Sequence, residues 1–437
     1  MQHEAGANRK LLRSGVLFTA ISFITGLGNL AFQAVMGRHL QGVGQFGNAN
    51  SVIGSFLPLL GLVPQIGIFA VTHYIAHFKA SGDQARLQGL LRGCRRFIFW
   101  ITVGGSVLVL LVIRPLSHYF KYGETLMLIT LGCTLLGLWA SFATMLCQGL
   151  AWFHRLALIG FLGVVLRVAF GWGVTFKWPC AETAVLASGM ALLANLILLC
   201  WRKELVLTGT PVSPWNREFG HYLIISAAMV VGNFGFFQGD FLVAKKFFLQ
   251  PGDLDHYTAA GNLARALPQT VAPLLAVMFT SRSGWRQGGI VSGQLKLIAL
   301  SGLGLVVGAV ALIALRTVGL EILGRNTPAA AAMVAPFAIT MVFVGLLQGL
   351  AFWSLASRWS KITLLYGALG VVFWLILFAL GRSPEMILRV MPVGTGAALV
   401  VLLSFWWLAL RRQHPGNGRR DTNVSAIESA PAGSGPG

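Results

Sequence analysis

The amino-acid sequence predicts an all-α, polytopic membrane protein, and three observations carry this prediction. The chain has 437 residues, of which 56% are hydrophobic and only 11% are charged. Soluble globular domains carry about 25% charged residues, so this chain lacks the charge that a water-facing surface needs. Twelve apolar stretches are long enough to cross a bilayer as helices, which takes about 20 residues each. A soluble enzyme, a disordered protein and a nucleic-acid-binding module are therefore poor fits.

The apolar stretches place the spanning helices along the chain. Spans are expected at 11–36, 46–77, 97–113, 125–149, 156–176, 183–201, 219–243, 256–279, 290–315, 329–354, 361–381 and 384–410. The first apolar run is too long for a signal peptide and is read as the first span. Pro58 and Pro64 in the second span, and Pro268 and Pro273 in the equivalent eighth span, are expected to introduce kinks that could act in gating. Residues 413–437 are rich in Gly, Pro and Ser and are expected to form a disordered cytoplasmic tail.

The basic residues predict the orientation of the chain. Twelve spans put both termini on one side; with the termini in the cytoplasm, 21 of the 33 Lys and Arg lie in cytoplasmic segments and nine in outer loops. This asymmetry satisfies the positive-inside rule, so the net charge of +20 is explained without a nucleic-acid partner. Residues 78–96 carry four Arg and are expected to form either a basic amphipathic segment on the anionic leaflet or a solvated loop.

An internal repeat divides the chain into two halves. Leu40-Gln41 precedes Phe46-Gly47 at the second span, and Leu249-Gln250 precedes Tyr257-Thr258 at the eighth, which gives a period of about 210 residues. Six spans per half is an even number, so both halves insert the same way up as a parallel repeat. The predicted domains are an N-lobe at 1–210 and a C-lobe at 211–412, with the substrate path between them.

Polar residues follow one face of four spans. Spacings of three, four or seven residues place side chains on a common helix face in the first, second, seventh and eighth spans, which are equivalent in the two halves. One such stripe could simply join helices by hydrogen bonds. Four stripes on equivalent helices favour a shared hydrophilic cavity. The candidate substrate-binding residues on these stripes are Asn29, Gln33, Asn233, Asn262 and Gln269.

Four charged residues lie within spans: Arg167, Asp240, Arg265 and Arg389. Each costs about 2.5–3.5 kcal/mol at mid-span and therefore needs a cavity or a partner. Arg265 and then Arg167 are the candidates for binding phosphate, because guanidinium forms a planar bidentate fork. Asp240 is a proton or cation coupling site, a counter-ion for Arg265, or a partner of Lys245 or Lys246. Arg389 is expected to reach the interface.

No catalytic or metal-binding pattern is found in the sequence. The five cysteines form no CxxC motif, and no disulfide framework is expected. His73 and His77 are spaced like zinc ligands but lack a third ligand in the sequence. No cofactor is expected, although coupling to a proton or Na⁺ is compatible with Asp240.

Two short patterns resemble a known transporter family. Met36-Gly37-Arg38-His39-Leu40 through Phe46-Gly47 resembles the opening of the Wzx-like polysaccharide flippases. These belong to the multidrug/oligosaccharidyl-lipid/polysaccharide exporter (MOP) superfamily. Gln238-Gly239-Asp240-Phe241-Leu242 through Tyr257-Thr258-Ala259-Ala260 is similar to the family's Asp late in the seventh helix, followed by a short loop and Tyr-x-Ala-Ala.

The resemblance implies a transporter and not an enzyme. It implies two six-helix bundles around a V-shaped central cavity in the bacterial cytoplasmic (inner) membrane. The cargo would be a polyprenyl-pyrophosphate-linked oligosaccharide, moved to the outer leaflet for cell-surface polysaccharide or lipopolysaccharide biosynthesis. Arg265 and Arg167 would hold the pyrophosphate. The implied partners are this lipid-linked glycan, membrane lipids and other polysaccharide assembly proteins.

Three alternatives stay open at this stage. A cation-coupled multidrug exporter of the same superfamily would have an apolar, acidic cavity, whereas the spans hold three Arg against one Asp. A membrane-embedded glycan polymerase or ligase would need a sizeable outer loop, and the predicted outer loops are short. A scaffold without transport activity would leave the four polar stripes unexplained.

Overall fold

The computed structural model describes residues 24–40, 42–200, 217–248, 250–283, 291–356 and 359–413, which form helices joined by short turns, with no strand in these ranges. The helices are α1 (24–39), α2 (Gln45–Leu60), α3 (Leu62–Ser81), α4 (Gln84–Phe120), α5 (Glu124–Gly149), α6 (Phe153–Lys177), α7 (Ala181–Cys200), α8 (Arg217–Phe237), α9 (Gly239–Phe247), α10 (Pro251–Ser283), α11 (Val291–Ala314), α12 (Arg316–Ile322), α13 (Pro328–Ala356), α14 (Ser360–Leu380) and α15 (Pro384–Gln413). The start of the first span, the lobe boundary near residue 210 and the tail beyond Gln413 lie outside these residues.

A helix lies in each of the twelve predicted spans. Within the described ranges, seven helices are by themselves long and apolar enough to cross a membrane, and two bent helix pairs raise this number to as many as nine. Large apolar side chains on their outer faces are exposed, for example Leu111 at 74%, Phe176 at 75% and Val393 at 73%. Such surfaces are stable only against lipid, which confirms the all-α, polytopic membrane class.

The two halves repeat the same helical pattern. Helices begin at 45, 84, 124, 153 and 181 in the first half and at 251, 291, 328, 360 and 384 in the second. Each start therefore recurs after 203–207 residues. In the first half α5 and α6 both pack on α7, and in the second half their counterparts α13 and α14 both pack on α15. The described helices thus form two bundles of parallel topology.

The second span is broken, as its prolines predict, whereas the eighth span forms one uninterrupted helix, α10, across Pro268 and Pro273. Residues Val52–Phe56 form a π-turn within α2, and the axes of α2 and α3 differ by 58° at Gly61. Pro58 and Pro64 lie on either side of the break and lack the N–H that a continuous helix requires. The seventh span is likewise interrupted at Gln238, between α8 and α9. The Gln238 carbonyl oxygen at this second break accepts a hydrogen bond from Ser55 Oγ of the first bundle.

The basic segment before the third span is part of a long helix. α4 runs without interruption from Gln84 to Phe120, a length of about 55 Å at 1.5 Å per residue. Its first turns bury Leu87 and Leu90 and leave Arg95 and Arg96 exposed. Neither a separate amphipathic segment nor a solvated loop is present between 84 and 96. The helix continues beyond a hydrocarbon core of about 30 Å because its leucines pack on neighbouring helices.

The two bundles touch at both ends of the molecule. One end of the molecule carries the turns at 121–123 and 178–180 and is called here the Asp255 end. At this end α10 packs against α2. At the opposite end, called the His73 end, α3 packs against α8. The His73 ring stacks on the Tyr222 ring with centroids 4.5 Å apart, and the Tyr74 and Phe219 rings lie 4.9 Å apart. The contacts are mainly polar at one end and aromatic at the other.

Candidate functional site

A buried ion pair lies inside the second bundle. Arg265 is fourteen residues into α10, about 21 Å from the start of this helix. Its Nη2 lies 2.5 Å from Oδ1 of Asp240 on α9, and the two side chains are 6% and 2% exposed. Asp240 therefore neutralises Arg265 at membrane depth. Lys245 and Lys246, the other partners considered for Asp240, bond elsewhere.

The ion pair is surrounded by aromatic and polar groups. Tyr257 donates a hydrogen bond of 2.8 Å to the second carboxylate oxygen of Asp240, and Arg265 Nε donates to the Phe237 carbonyl oxygen at 2.9 Å. The guanidinium carbon lies 3.6 Å from the centre of the Phe241 ring. Arg265 Nη1 is buried without a hydrogen-bond partner among the described residues. This arrangement can hold a charge pair in the membrane and leaves one donor unused.

Arg167 is the second intramembrane arginine and lies in the first bundle. From α6 it donates to Asn29 Oδ1 on α1 at 3.1 Å and to Ser188 Oγ on α7 at 3.1 Å. Its guanidinium also covers the Phe32 ring at 4.2 Å. In the described ranges no carboxylate forms an ion pair with Arg167, so its contacts orient the charge without neutralising it. Asn29 and Arg167 are thus brought together.

A hydrogen-bonded group of amides joins the two bundles at mid-depth. The Asn262 side-chain nitrogen on α10 donates to Gln33 Oε1 at 3.1 Å and to Asn50 Oδ1 at 2.7 Å. Gln33 and Asn50 belong to the first bundle. Amide side chains can exchange these bonds for bonds to sugar hydroxyls, since each amide offers both donors and acceptors. The group is therefore suited to open when the bundles separate.

Two of the predicted binding residues lie apart from these groups. Asn233 accepts a hydrogen bond of 2.8 Å from the Tyr366 hydroxyl, inside the second bundle. Gln269 is exposed on α10. Arg389 is exposed on α15. The structure therefore divides the predicted binding residues into four groups. Arg265 pairs with Asp240 in the second bundle, Arg167 with Asn29 in the first, and Gln33 with Asn262 between the bundles. Asn233 and Gln269 lie apart from these pairs.

A polar contact between the bundles is formed by Asp255, which the sequence analysis missed. Its two carboxylate oxygens accept hydrogen bonds from the backbone N–H groups of Gly44 at 3.0 Å and Gly47 at 2.6 Å, at the start of α2. Gly44 has a φ of 80°, a left-handed conformation that favours glycine. Arg325 lies 3.6 Å from Asp255 and also bonds to the Leu40 carbonyl oxygen. A carboxylate of one bundle thus caps a helix of the other.

The remaining missed residues gave weak sequence signals. Tyr257, Asn50 and Ser188 complete the three polar clusters described above. An aspartate in the first turn of a helix, such as Asp255, usually interacts with its own helix, and nothing in the sequence indicates a partner more than 200 residues away. Among the described residues, no group of three or more His, Cys, Asp or Glu could hold a metal ion.

Comparisons with known proteins give matches at the level of structure. No family sequence model and no curated protein sequence matches this chain. A multidrug resistance MATE family transporter of the MOP superfamily, in its outward-facing conformation, superposes with a TM-score of 0.66 at 12% identity, covering 92% of this chain and 95% of that one. A mutant of the Vibrio cholerae MATE transporter VcmN gives 0.62 at 14% identity and coverages of 92% and 98%.

A eukaryotic MATE transporter, AtDTX14, is similar over the same extent. Its TM-score is 0.61 at 13% identity, with 92% of this chain and 96% of that chain covered. Superposition over nine-tenths of both chains includes both bundles and their connections. The chain therefore has the fold of the MATE transporters of the MOP superfamily.

Proposed function

We propose that this protein is an alternating-access exporter that moves a polyprenyl-pyrophosphate-linked oligosaccharide across the cytoplasmic membrane. The MATE fold supports transport between two bundles, and the contacts at both ends support alternation. Opening the Asp255 end would break polar contacts that water can replace. Opening the His73 end would separate the stacked rings of His73 and Tyr222.

The observation that carries the choice of cargo is the state of Arg167. Arg265 shares its charge with Asp240, so it is not a free cation for a phosphate in this conformation. Among the described residues, Arg167 has neutral partners only, namely Asn29, Ser188 and the Phe32 ring. A half-buried guanidinium that keeps its full charge at membrane depth is costly. An anionic headgroup, such as a pyrophosphate, would offset that cost and would use the bidentate geometry of the guanidinium.

The amides between the bundles support a sugar-bearing cargo. Asn262 bonds to Gln33 and Asn50 across the interface. When the bundles part, the Asn262 nitrogen and the Gln33 and Asn50 oxygens lose these bonds and become available to hydroxyl groups, while Asn50 keeps its hydrogen bond to the Phe46 carbonyl oxygen. An apolar drug would leave them unpaired at a cost of about 1–3 kcal/mol for each buried group.

The proposal is tested by mass spectrometry of polyprenyl-linked glycans in cells lacking the protein. We expect a complete oligosaccharide-lipid to accumulate and the exported polymer to be lost. Reintroduced Arg167→Gln should restore export at least tenfold less well than the unmodified protein at equal membrane abundance. Arg389→Gln is the matched control, because Arg389 is an exposed arginine in another span, and it should restore export fully.

A second candidate function is cation-coupled export of amphipathic drugs. It is supported by the structural neighbours, which include multidrug resistance transporters, and by the buried Asp240–Arg265 pair, which could exchange a proton or Na⁺. Unchanged polyprenyl-linked pools together with dye efflux that Asp240→Asn abolishes would replace the flippase proposal with this one.

A further inference from the structure

A positively charged groove opens at the Asp255 end, away from the three polar clusters. It encloses about 710 Å³ at the turn between α4 and α5. The groove is lined by Arg114, Pro115, Ser117, His118, Lys121, Tyr122 and Glu124. Glu124 is the single carboxylate in this lining, and it lies 3.7 Å from Arg114. The lining therefore offers Lys121 no other acidic partner.

Two further cations approach the groove from the second bundle. Lys246 Nζ lies 3.6 Å from the centre of the Tyr119 ring and donates to the Tyr119 carbonyl oxygen at 3.1 Å. Lys245 Nζ donates to Asn48 Oδ1 at 2.6 Å and lies 4.8 Å from the Tyr122 ring centre. Both ammonium groups are therefore held on the first bundle by neutral partners.

The positive charges at this groove are mutually unfavourable. Four of the nine cations predicted in outer loops lie in or beside the groove, at Arg114, Lys121, Lys245 and Lys246, against two carboxylates at the same turn, Glu124 and Glu182. Burial lowers the pKa of Lys245 to about 8, and the charge of Lys121 acts on this pKa in the same direction. Clustered cations of this kind are stabilised by an anion that lies among them.

The helix surface next to the groove is apolar and exposed. Leu108 and Leu111 are 61% and 74% exposed on α4. Helical spacing of three and four residues places them on the same face as Pro115 and His118, which line the groove. This face leads from the groove toward the middle of the span, where lipid tails lie.

We propose that this groove binds the phosphate headgroup of an anionic membrane phospholipid, whose acyl chain lies along Leu108 and Leu111. Arg114 supplies a planar fork for the phosphate, and Lys121 supplies a point charge beside it. The charge distribution of the sequence predicts that this end faces the outer leaflet. Because Lys245 of the second bundle lies over the ring of Tyr122, which lines the groove, the bound lipid would lie beside a contact between the two bundles.

The test is native mass spectrometry of the full chain titrated with phosphatidylglycerol. The test variant is Arg114→Gln with Lys121→Asn, and Asn suits position 121 because Lys121 has a left-handed φ of 55°. The control is Lys177→Gln, an exposed lysine at the same end outside the groove. We expect the wild type and the control to retain one lipid with equal affinity and the double variant to bind at least tenfold more weakly.

Two results would overturn the proposal. Equal retention of phosphatidylglycerol by the double variant and the control would show that these cations do not form the site. Equally tight binding of inorganic phosphate, measured by calorimetry in phosphatidylcholine nanodiscs, would assign the groove to a soluble anion in place of a lipid. A wild-type preference for phosphatidylglycerol over phosphatidylcholine that the double variant lacks would support it.

Discussion

Asp255→Asn should open the bundle interface at one end and leave the other end closed. The carboxylate accepts two hydrogen bonds from backbone N–H groups of α2, at 3.0 and 2.6 Å. A hydrogen bond to a charged group contributes about 1.5–3 kcal/mol and a neutral one about 0.5–1.5 kcal/mol. Asn has one acceptor oxygen where Asp has two, so one of the bonds is weakened by about 1 kcal/mol and the other is lost, at a cost of about 1.5 kcal/mol. Loss of the negative charge at the start of α2 removes about 0.5–1 kcal/mol more.

The total of about 3 kcal/mol corresponds to a change of roughly 150-fold in the local opening equilibrium, since each 1.36 kcal/mol is a factor of ten. Hydrogen–deuterium exchange measures this opening directly. Amides in 42–51 should exchange roughly 150-fold faster, whereas amides in 217–225, at the His73 end, should keep their protection. Asp253→Asn is the matched control, because Asp253 lies on the same first turn of α10 and makes no such bonds to the described part of α2. Exchange at 42–51 within twofold of this control would refute the reasoning.

Two further perturbations test the packing of the site and of the interface. Asp240→Asn and Arg265→Gln should each lower the free energy of unfolding by about 3–5 kcal/mol, because each leaves a buried charge unpaired. In denaturant unfolding the double variant should regain most of that loss, and additive losses would contradict the ion pair. Gly37→Ala should lower export and loosen the bundle contact, because its Cβ would overlap the Leu323 carbonyl oxygen of the other bundle. Gly104→Ala, in open space on a helix, should leave export unchanged, and equal effects of the two would count against the contact.

The helices and their arrangement in the chain were predictable from local patterns. A run of about 20 apolar residues has few stable states other than a spanning helix, so each of the twelve spans matches a helix in the described residues. The break at Gly61 agrees with the two prolines beside it, but Pro268 and Pro273 lie in the uninterrupted α10, so prolines alone do not decide where a span breaks. The extent of α4 was not predictable in this way, because its charged first turns are held by tertiary packing of Leu87 and Leu90.

The candidate site was predictable in its members but not in its partners. Helical spacing and the cost of charge in the membrane single out Arg167, Asp240 and Arg265. Spacing along one helix does not show which side chain of another helix lies opposite. The sequence left Arg265 as one of several roles for Asp240, and the structure selects that pair. It gave no indication that Arg167 pairs with Asn29, 138 positions away. The sequence likewise does not show that Asn233 bonds to Tyr366 inside its own bundle.

The sequence alone therefore determined the membrane class, the twelve spans, the repeat and the residue types that carry charge into the membrane. The tertiary structure decided which charges are neutralised and where the bundles touch. Asp255 shows the reason most clearly, because it meets Gly44 across 211 positions of chain. A hydrogen bond between segments so distant depends on how two bundles dock, and docking is set by the summed packing of many side chains rather than by any local pattern.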